Sequence, residues 1–279
     1  ASDGQEGFAL DGLQAIVASS GGNPSVLANI STRALVETGE NVLIGGFIIT
    51  GTQPKKVIVR AIGPSLAPPI IALTDPVLEL RDSSGALIRS NDNWRSDQEA
   101  EIAATTIPPS NNLESALVAT LPANNASYTA IVQGANNGTG IGLVEAYDLD
   151  QTVDSKLANI STRGLVQTGD NVLIAGTIVL GPVSQKLLIR AIGPSLPVSG
   201  SLADPMLELH NANGTLVRSN DNWRSDQEAD ILATTIPPSD DLESAILMTL
   251  PAHGASYTAI VRGVNGSSGV ALVEVYTVP

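Results

Sequence analysis

Cysteine is absent from this chain of 279 residues, and aromatic side chains make up only 3% of it. The lack of cysteine excludes disulfides, thiol catalysis and zinc sites with cysteine ligands. A secreted chain of this kind would gain stability from the size of its core, from metal ions or from assembly. Because aromatics are few, we expect an aliphatic core of alanine, valine, isoleucine and leucine.

Basic residues are also scarce: 14 lysines and arginines stand against 28 acidic residues, giving a formal net charge of −14. This balance argues against a nucleic-acid partner, which needs a basic face, and against an anionic membrane surface. No uncharged apolar stretch reaches the roughly 18 residues of a spanning helix, so no membrane insertion is predicted. No signal peptide is visible, and a start at Ala1 suits a processed mature protein.

One long stretch occurs twice without change. Residues 89–100 (RSNDNWRSDQEA) return letter for letter at 218–229, and the two copies contain both tryptophans of the chain, Trp94 and Trp223. A site present in both copies is either part of the scaffold or a duplicated function. The repetition therefore provides an internal control for every candidate site.

The repeat extends over most of the chain. Residues 27–66 match residues 157–196 at 26 of 40 positions, and residues 75–147 match residues 204–276 at 49 of 73. Each repeat is long enough to bury a core of its own. The predicted domains are an N-terminal extension (1–26), a first repeat (27–149) and a second repeat (150–279).

The pattern within each repeat indicates β structure. Short runs rich in branched residues, such as Asn41–Ile49 and Lys55–Ile62, are separated by Gly, Pro and Asn turns. About seven or eight such strands per repeat predict an all-β protein of two tandem jelly-roll-like β-sandwich domains, formed by internal duplication. The turn at Gly51–Pro54 predicts a hairpin between the two runs. Ser96-x-x-Glu99 predicts a capping box that opens a short helix.

Several short motifs carry a resemblance to a known family. They are Asp75-Pro76-x-Leu78-x-Leu80, Gly85-x-Leu87-Ile88-x-Ser90-Asn91-Asp92, Leu121-Pro122, Tyr128-Thr129-Ala130-x-Val132 and Gly140-x-Gly142-Leu143. In this order they resemble the bacterial pre-peptidase C-terminal domain over about 70 residues of each repeat. The chain departs from that pattern in Ala-Ser-Tyr, where the family has Gly-x-Tyr. The resemblance implies a secreted sandwich with an accessory or structural role.

Oxygen ligands of the kind that Ca²⁺ uses are concentrated in the repeated stretch. The candidate ligands are Asp92, Asn93 and Asp97 in the first copy and Asp221, Asn222 and Asp226 in the second. Further oxygen ligands of the same kind are Glu99, Asp75 and Glu114, with Glu228, Asp204 and Glu243 as their equivalents. Their spacing is not that of an EF-hand loop. The alternative is that these side chains form hydrogen bonds within the loop. Calcium is the one cofactor that the sequence suggests, and both interpretations stay open.

Trp94 and Trp223 suggest two further interpretations. They are either platforms on which a surface glycan stacks or large side chains packed over the end of the sandwich. Packing is favoured, because a sugar-binding loop usually carries two or more aromatics and each loop here has one.

The residue types do not assemble a catalytic set. Ser65 lacks the G-x-S-x-G surroundings of a hydrolase nucleophile. The only histidines, His210 and His253, have no counterpart in the first repeat. Arg60 is expected to pair with a carboxylate such as Glu79 or Glu145. We therefore predict that the protein is not an enzyme.

The N-terminal extension resembles a strand that has lost its own domain. Residues 12–18 precede the first repeat as residues 142–148, the last strand of the first sandwich, precede the second. An apolar strand with unpaired backbone groups pairs with a sheet edge. We expect residues 8–19 to insert into the sandwich of a neighbouring copy; the alternative is that they fold back on the first repeat. The predicted interface residues are Phe8, Leu10, Leu13, Ile16 and Val17.

Together these features predict an extracellular or cell-surface structural protein, the subunit of a filament or layer whose partners are copies of itself. The alternative is a carbohydrate- or surface-binding accessory module of a secreted bacterial protein.

Overall fold

The computed structural model describes residues 26–27, 29–123, 125–252 and 254–278. Residues 1–25 of the predicted extension, with the interface residues Phe8, Leu10, Leu13, Ile16 and Val17, lie outside this part of the chain. Within it, nearly all regular structure is β. The first part contains β1 (Val26–Leu27), β2 (Asn29–Val36), β3 (Leu43–Thr50), β4 (Lys55–Ile62), β5 (Pro76–Arg81), β6 (Leu87–Asn91), α1 (Glu99–Ala104), β7 (Ser115–Leu121), β8 (Ala126–Gly134) and β9 (Gly140–Asp148). The second contains β10 (Lys156–Val166), β11 (Leu173–Leu180), β12 (Gln185–Ile192), β13 (Pro205–Asn211), β14 (Leu216–Asn220), α2 (Glu228–Ala233), β15 (Ser244–Leu250), β16 (Ala255–Gly263) and β17 (Gly269–Thr277).

Both repeats pair their strands in the same antiparallel order. In repeat 1 the two sheets are β7–β4–β9–β2 and β6–β5–β8–β3. In repeat 2 they are β15–β12–β17–β10 and β14–β13–β16–β11. Two four-stranded sheets with this order make a jelly roll. The prediction of an all-β protein with two jelly-roll-like units is confirmed.

The two jelly rolls are joined through their edge strands. β2 of repeat 1 pairs with β11 of repeat 2, and β10 of repeat 2 pairs with β3 of repeat 1. Each four-stranded sheet is thereby continued by a sheet of the other repeat. The result is two layers of eight strands, which we call sheet I (β7–β4–β9–β2–β11–β16–β13–β14) and sheet II (β6–β5–β8–β3–β10–β17–β12–β15).

The join has an approximate twofold axis. Thr32 and Thr162 occupy equivalent positions, 130 residues apart, and their buried hydroxyl groups form a hydrogen bond of 2.8 Å. Ala34 and Gly164 are likewise equivalent. A Cβ atom on Gly164 would lie only 2.9 Å from the Cβ atom of Ala34. The close approach of the two repeats therefore requires a glycine on one side of this contact.

One aliphatic core runs through both repeats. Along β3 the buried positions alternate with half-buried ones, so that Leu43, Phe47 and Ile49 point inward. These side chains belong to a single cluster that includes Leu173, Val179 and the inward residues of the other strands. Each fully buried large aliphatic side chain contributes about 1.5–3 kcal/mol. Core burial across the join thus binds the two repeats into one sandwich.

The predicted hairpin around Gly51–Pro54 is wrong. β3 pairs with β8 and β10, whereas β4 pairs with β7 and β9, so the turn crosses from one sheet to the other. The branched runs on either side of a turn fit a crossover as well as a hairpin, because both sheets need the same inward residues. β5 and β6 do form a hairpin around the turn at residues 82–86. In the described part of the chain, no helix is long and apolar enough to cross a membrane.

Candidate functional site

The connection between β6 and β7 packs on the outer face of sheet I. It contains α1, which buries Ile102 against Ile58, Val118 and Tyr147 of the sheet. The equivalent connection of repeat 2 packs in the same way, with Ile231 of α2 beneath it. The helix begins at Glu99 after Gln98, and no side chain caps its N-terminus. The predicted capping box is therefore wrong: the Ser96 hydroxyl donates to the carbonyl of Asn93 instead.

The repeated stretch covers the edge of β7 with side-chain amides. Gln98 Oε1 accepts from the N–H of Val118 (3.0 Å), and Gln98 Nε2 donates to the carbonyl of Val118 (2.9 Å). Asn91 Oδ1 accepts from the N–H of Ala116 at 3.1 Å. These amides take the place of a neighbouring strand.

The same edge covering recurs in repeat 2. Asn220 and Gln227 form the corresponding bonds to Ala245 and Leu247 of β15. The sequence pattern does not predict this role; its only signal is the unchanged repetition of the stretch.

The tryptophans lie inside the packed connections. Trp94 is 3% exposed and Trp223 is 1% exposed. The indole N–H of Trp94 donates to the carbonyl of Asn111 (3.2 Å), and the guanidinium of Arg95 covers its ring at 4.1 Å. Neither ring has a free face on which a sugar could stack. This agrees with the packing interpretation.

A buried ionic network ties each connection to its sheet. Arg60 on β4 pairs with Glu145 on β9 and donates to the carbonyl of Ile107 at 2.7 Å. The hydroxyl of Tyr147 donates to the same carboxylate at 2.7 Å. Burial, followed by the nearby Glu145 carboxylate, raises the pKa of Tyr147. The expected partner of Arg60 is thus Glu145; Glu79 pairs with Arg81.

Arg190, Glu274 and Tyr276 repeat this network in the second copy. There, burial and the Glu274 carboxylate raise the pKa of Tyr276 to about 12. Since both copies hold the same network, its geometry indicates a structural role in fastening the connection.

Ser65 is held by a buried carboxylate rather than by a base. Glu114 is fully buried and accepts from the N–H groups of Gly63 (3.1 Å) and Ser65 (2.9 Å), as well as from the Ser65 hydroxyl. Its second oxygen accepts from the N–H of Asn111 at 3.1 Å. Ser195 and Glu243 form the equivalent set. The Ser65 hydroxyl thus donates to a carboxylate that also accepts three backbone N–H groups. These bonds fasten the loop that contains Gly63 and Ser65 to the loop that contains Asn111.

The calcium ligands suggested within the repeated stretch, Asp92, Asn93 and Asp97, do not converge. The carboxylate of Asp97 pairs with Arg89 at 2.6 Å, and the carbonyl of Asn93 accepts from Asn91 and Ser96. The Asp92 carboxylate lies instead near Asp75, where burial and then Asp92 raise the pKa of the Asp75 carboxyl.

The second copy shows the same arrangement. Asp226 pairs with Arg218, the carbonyl of Asn222 accepts from Asn220 and Ser225, and Asp221 lies near Asp204. Among the described residues, no group of three or more His, Cys, Asp or Glu side chains suits a metal ion.

One cleft of the described residues lies beside the linker between the repeats. It has a volume of about 420 Å³ and is lined by Lys56, Glu101 and the linker residues Asp148–Thr152. Beside it, the fully buried Lys55 donates to Asp148 at 2.9 Å and to the carbonyl of Asp150. Repeat 2 has Gln185 and Thr277 in place of the Lys55–Asp148 pair. Lys55 of β4 thus fastens the linker between the repeats.

Comparison with known proteins adds no family. No family model matches the chain, and the search of curated proteins gives no match. Of the solved structures that are weakly similar, three serve as examples. One belongs to the atomic structure of Sulfolobus Turreted Icosahedral Virus (11% identity, TM-score 0.23, 92% of this chain and 90% of that one). Another is PNGF-II in a P21 crystal (12%, 0.24, 93% and 63%). The third is Arthrobacter globiformis T6 isomaltodextranase complexed with panose (12%, 0.23, 86% and 36%). At these TM-scores the likenesses carry no argument.

Proposed function

We propose that this protein is a non-enzymatic structural subunit, located outside the cell or on its surface, that assembles with copies of itself. Residues 8–19 of one copy insert as a strand into the sandwich of the next. Repeated head to tail, such a contact does not close and produces a filament or layer.

The observation that carries this proposal is the absence of a place for the N-terminal strand beside β2. Its sequence resembles a closing strand, which in repeat 1 is β9, between β2 and β4. The other side of β2 is taken by β11. In repeat 2 the equivalent place between β10 and β12 is filled by β17. A closing strand from the N-terminus therefore cannot take the place beside β2, and we infer that it pairs with a sheet edge of a neighbouring copy rather than folding back on the first repeat of its own chain.

The use of the recurring polar side chains supports a structural role. Arg60, Glu114 and Gln98, like their equivalents in repeat 2, bind backbone groups or one another within the sandwich. Chemistry on a substrate needs a nucleophile or base that reaches a cleft. These side chains are instead committed to holding loops and edges.

The carbohydrate-binding alternative is not favoured by any contact in the described residues. A glycan platform needs an exposed aromatic face. The two tryptophans are buried, as are Phe47, Tyr128, Tyr147 and Tyr257.

Electron microscopy of the purified full-length protein tests the proposal. Filaments or ordered layers that grow with protein concentration are the expected result. A protein that remains monomeric at every concentration, and binds immobilised polysaccharide, would favour the accessory-module function instead.

A further inference from the structure

The fused sandwich has four edge strands, and two of them are already covered. β7 ends sheet I, and β15 ends sheet II at the opposite end of the molecule. The paired amides of Gln98 and Gln227, with Asn91 and Asn220, occupy their outward backbone groups. A strand from another molecule would have to displace these amides before it could pair there.

The other two edges, β6 and β14, are open among the residues that the structure describes. In β6 the side chains of Leu87 and Ile88 are 52% and 40% exposed, and Ser90 is exposed as well. Within the described part of the chain, no hydrogen bond outside the β5 pairing reaches the backbone of residues 87–90. An open strand edge that displays apolar side chains is a site for pairing with another chain.

The two open edges differ in ways that favour β6. Ile88 is exposed, whereas its equivalent, Val217, packs against the core. β6 is therefore the more apolar of the two edges.

The N-terminal segment has apolar side chains that suit this edge. As a strand beside β6, its residues Phe8, Leu10 and Leu13 would cover the exposed side chains of Leu87 and Ile88. A strand added beside β6 would also satisfy the outward backbone groups of that edge.

We propose that β6 is the acceptor: residues 8–19 of one copy pair with the open edge of β6 in the next copy and extend sheet II by one strand. This inference rests on the proposed function and identifies the surface that receives the donated strand.

Disulfide crosslinking tests the pairing without background, because the chain has no cysteine of its own. One protein carries a single donor cysteine, Leu10→Cys, Leu13→Cys or Ile16→Cys in turn. The other carries Ile88→Cys on β6, or Val217→Cys at the equivalent position of β14 as the matched control. A disulfide needs Cα atoms within about 7 Å, so only directly neighbouring residues react. The two proteins are mixed, assembled and oxidised, and dimers are mapped by peptide mass spectrometry.

The expected result is a disulfide between one donor position and Ile88→Cys, with little product at Val217→Cys. A main product at Val217→Cys, or a dimer of Ile88→Cys with itself, would overturn the assignment of β6. So would filaments in which no donor position reaches Ile88→Cys, although strand donation itself would survive that result. If the unsubstituted protein forms no filaments at all, the proposed function fails together with this inference.

Discussion

The hydroxyl groups of Thr32 and Thr162 meet at 2.8 Å, although the two residues are equivalent positions of two repeats. Each residue thus contacts its own counterpart, which is the mark of an isologous contact. Both side chains are fully buried. The contact lies where β2 and β10 each pair with a strand of the other repeat. The duplicated chain therefore has the internal symmetry of a dimer within one polypeptide.

This relationship predicts a non-additive pair of substitutions. Thr32→Val or Thr162→Val alone leaves one buried hydroxyl without a partner, and we expect a loss of about 1–3 kcal/mol in the free energy of unfolding. The double variant removes both hydroxyls and should be close to the parent protein. Urea denaturation of the four proteins measures the coupling. Additive losses in the double variant would show that the two hydroxyls do not depend on each other.

The amide that covers the β7 edge gives a second prediction. Gln98→Ala removes two hydrogen bonds to Val118 and should lower the free energy of unfolding by about 1–3 kcal/mol, at 0.5–1.5 kcal/mol per bond. Gln227→Ala should cost a similar amount, and the two losses should add, because the sites lie at opposite ends of the sandwich. The double variant should also aggregate more readily through its uncovered edges. Unchanged stability in both single variants would contradict the assigned role.

Alkaline pH provides a third prediction. Tyr276 has its pKa raised from 10 to about 12, because burial and Glu274 favour the neutral phenol. The unfolded chain ionises first, so this contribution to stability is complete below pH 10 and is lost as the pH rises towards 12. Stability should fall across that window, and tyrosinate absorbance should appear late. Tyr276→Phe should weaken the fall; tyrosinate absorbance complete near pH 10 in the folded protein would contradict the network.

Metal chelation gives a fourth prediction. The Asp97 carboxylate pairs with Arg89 and does not converge with Asp92 on a common site. We therefore expect a chelator to leave the melting temperature unchanged. Thermal melts with and without chelator measure this. A lower melting temperature in chelator, abolished by Asp92→Ala together with Asp221→Ala, would instead establish the calcium site that the residue types suggested.

The sequence predicts the fold of each repeat because its signals are local. Alternating apolar residues and turns place the strands, and the repeat fixes how many units there are. The pairing of β2 with β11 and of β10 with β3 joins residues more than 100 positions apart. Every strand edge presents the same backbone N–H and C=O groups, so the amino-acid composition does not identify which strand will pair with it. The false hairpin at Gly51–Pro54 has the same origin.

The chemistry of the repeated stretch is harder to read. Asp92, Asn93 and Asp97 have the residue types of metal ligands, yet Asp97 pairs with an arginine eight residues away. No sequence motif distinguishes Gln98, because its role depends on β7, which lies beside it only in the folded protein. Side chains that bind backbone atoms leave no motif, because every residue supplies the same partner groups.

In the proposed assembly, the N-terminal segment joins one copy to the next. Electron microscopy and sedimentation of the full-length protein, beside a variant that lacks residues 1–20, test this joint most directly. We expect filaments from the full-length protein and soluble, folded monomers from the truncated one, with the same circular dichroism spectrum for the sandwich. Undisturbed filaments from the truncated protein would contradict it.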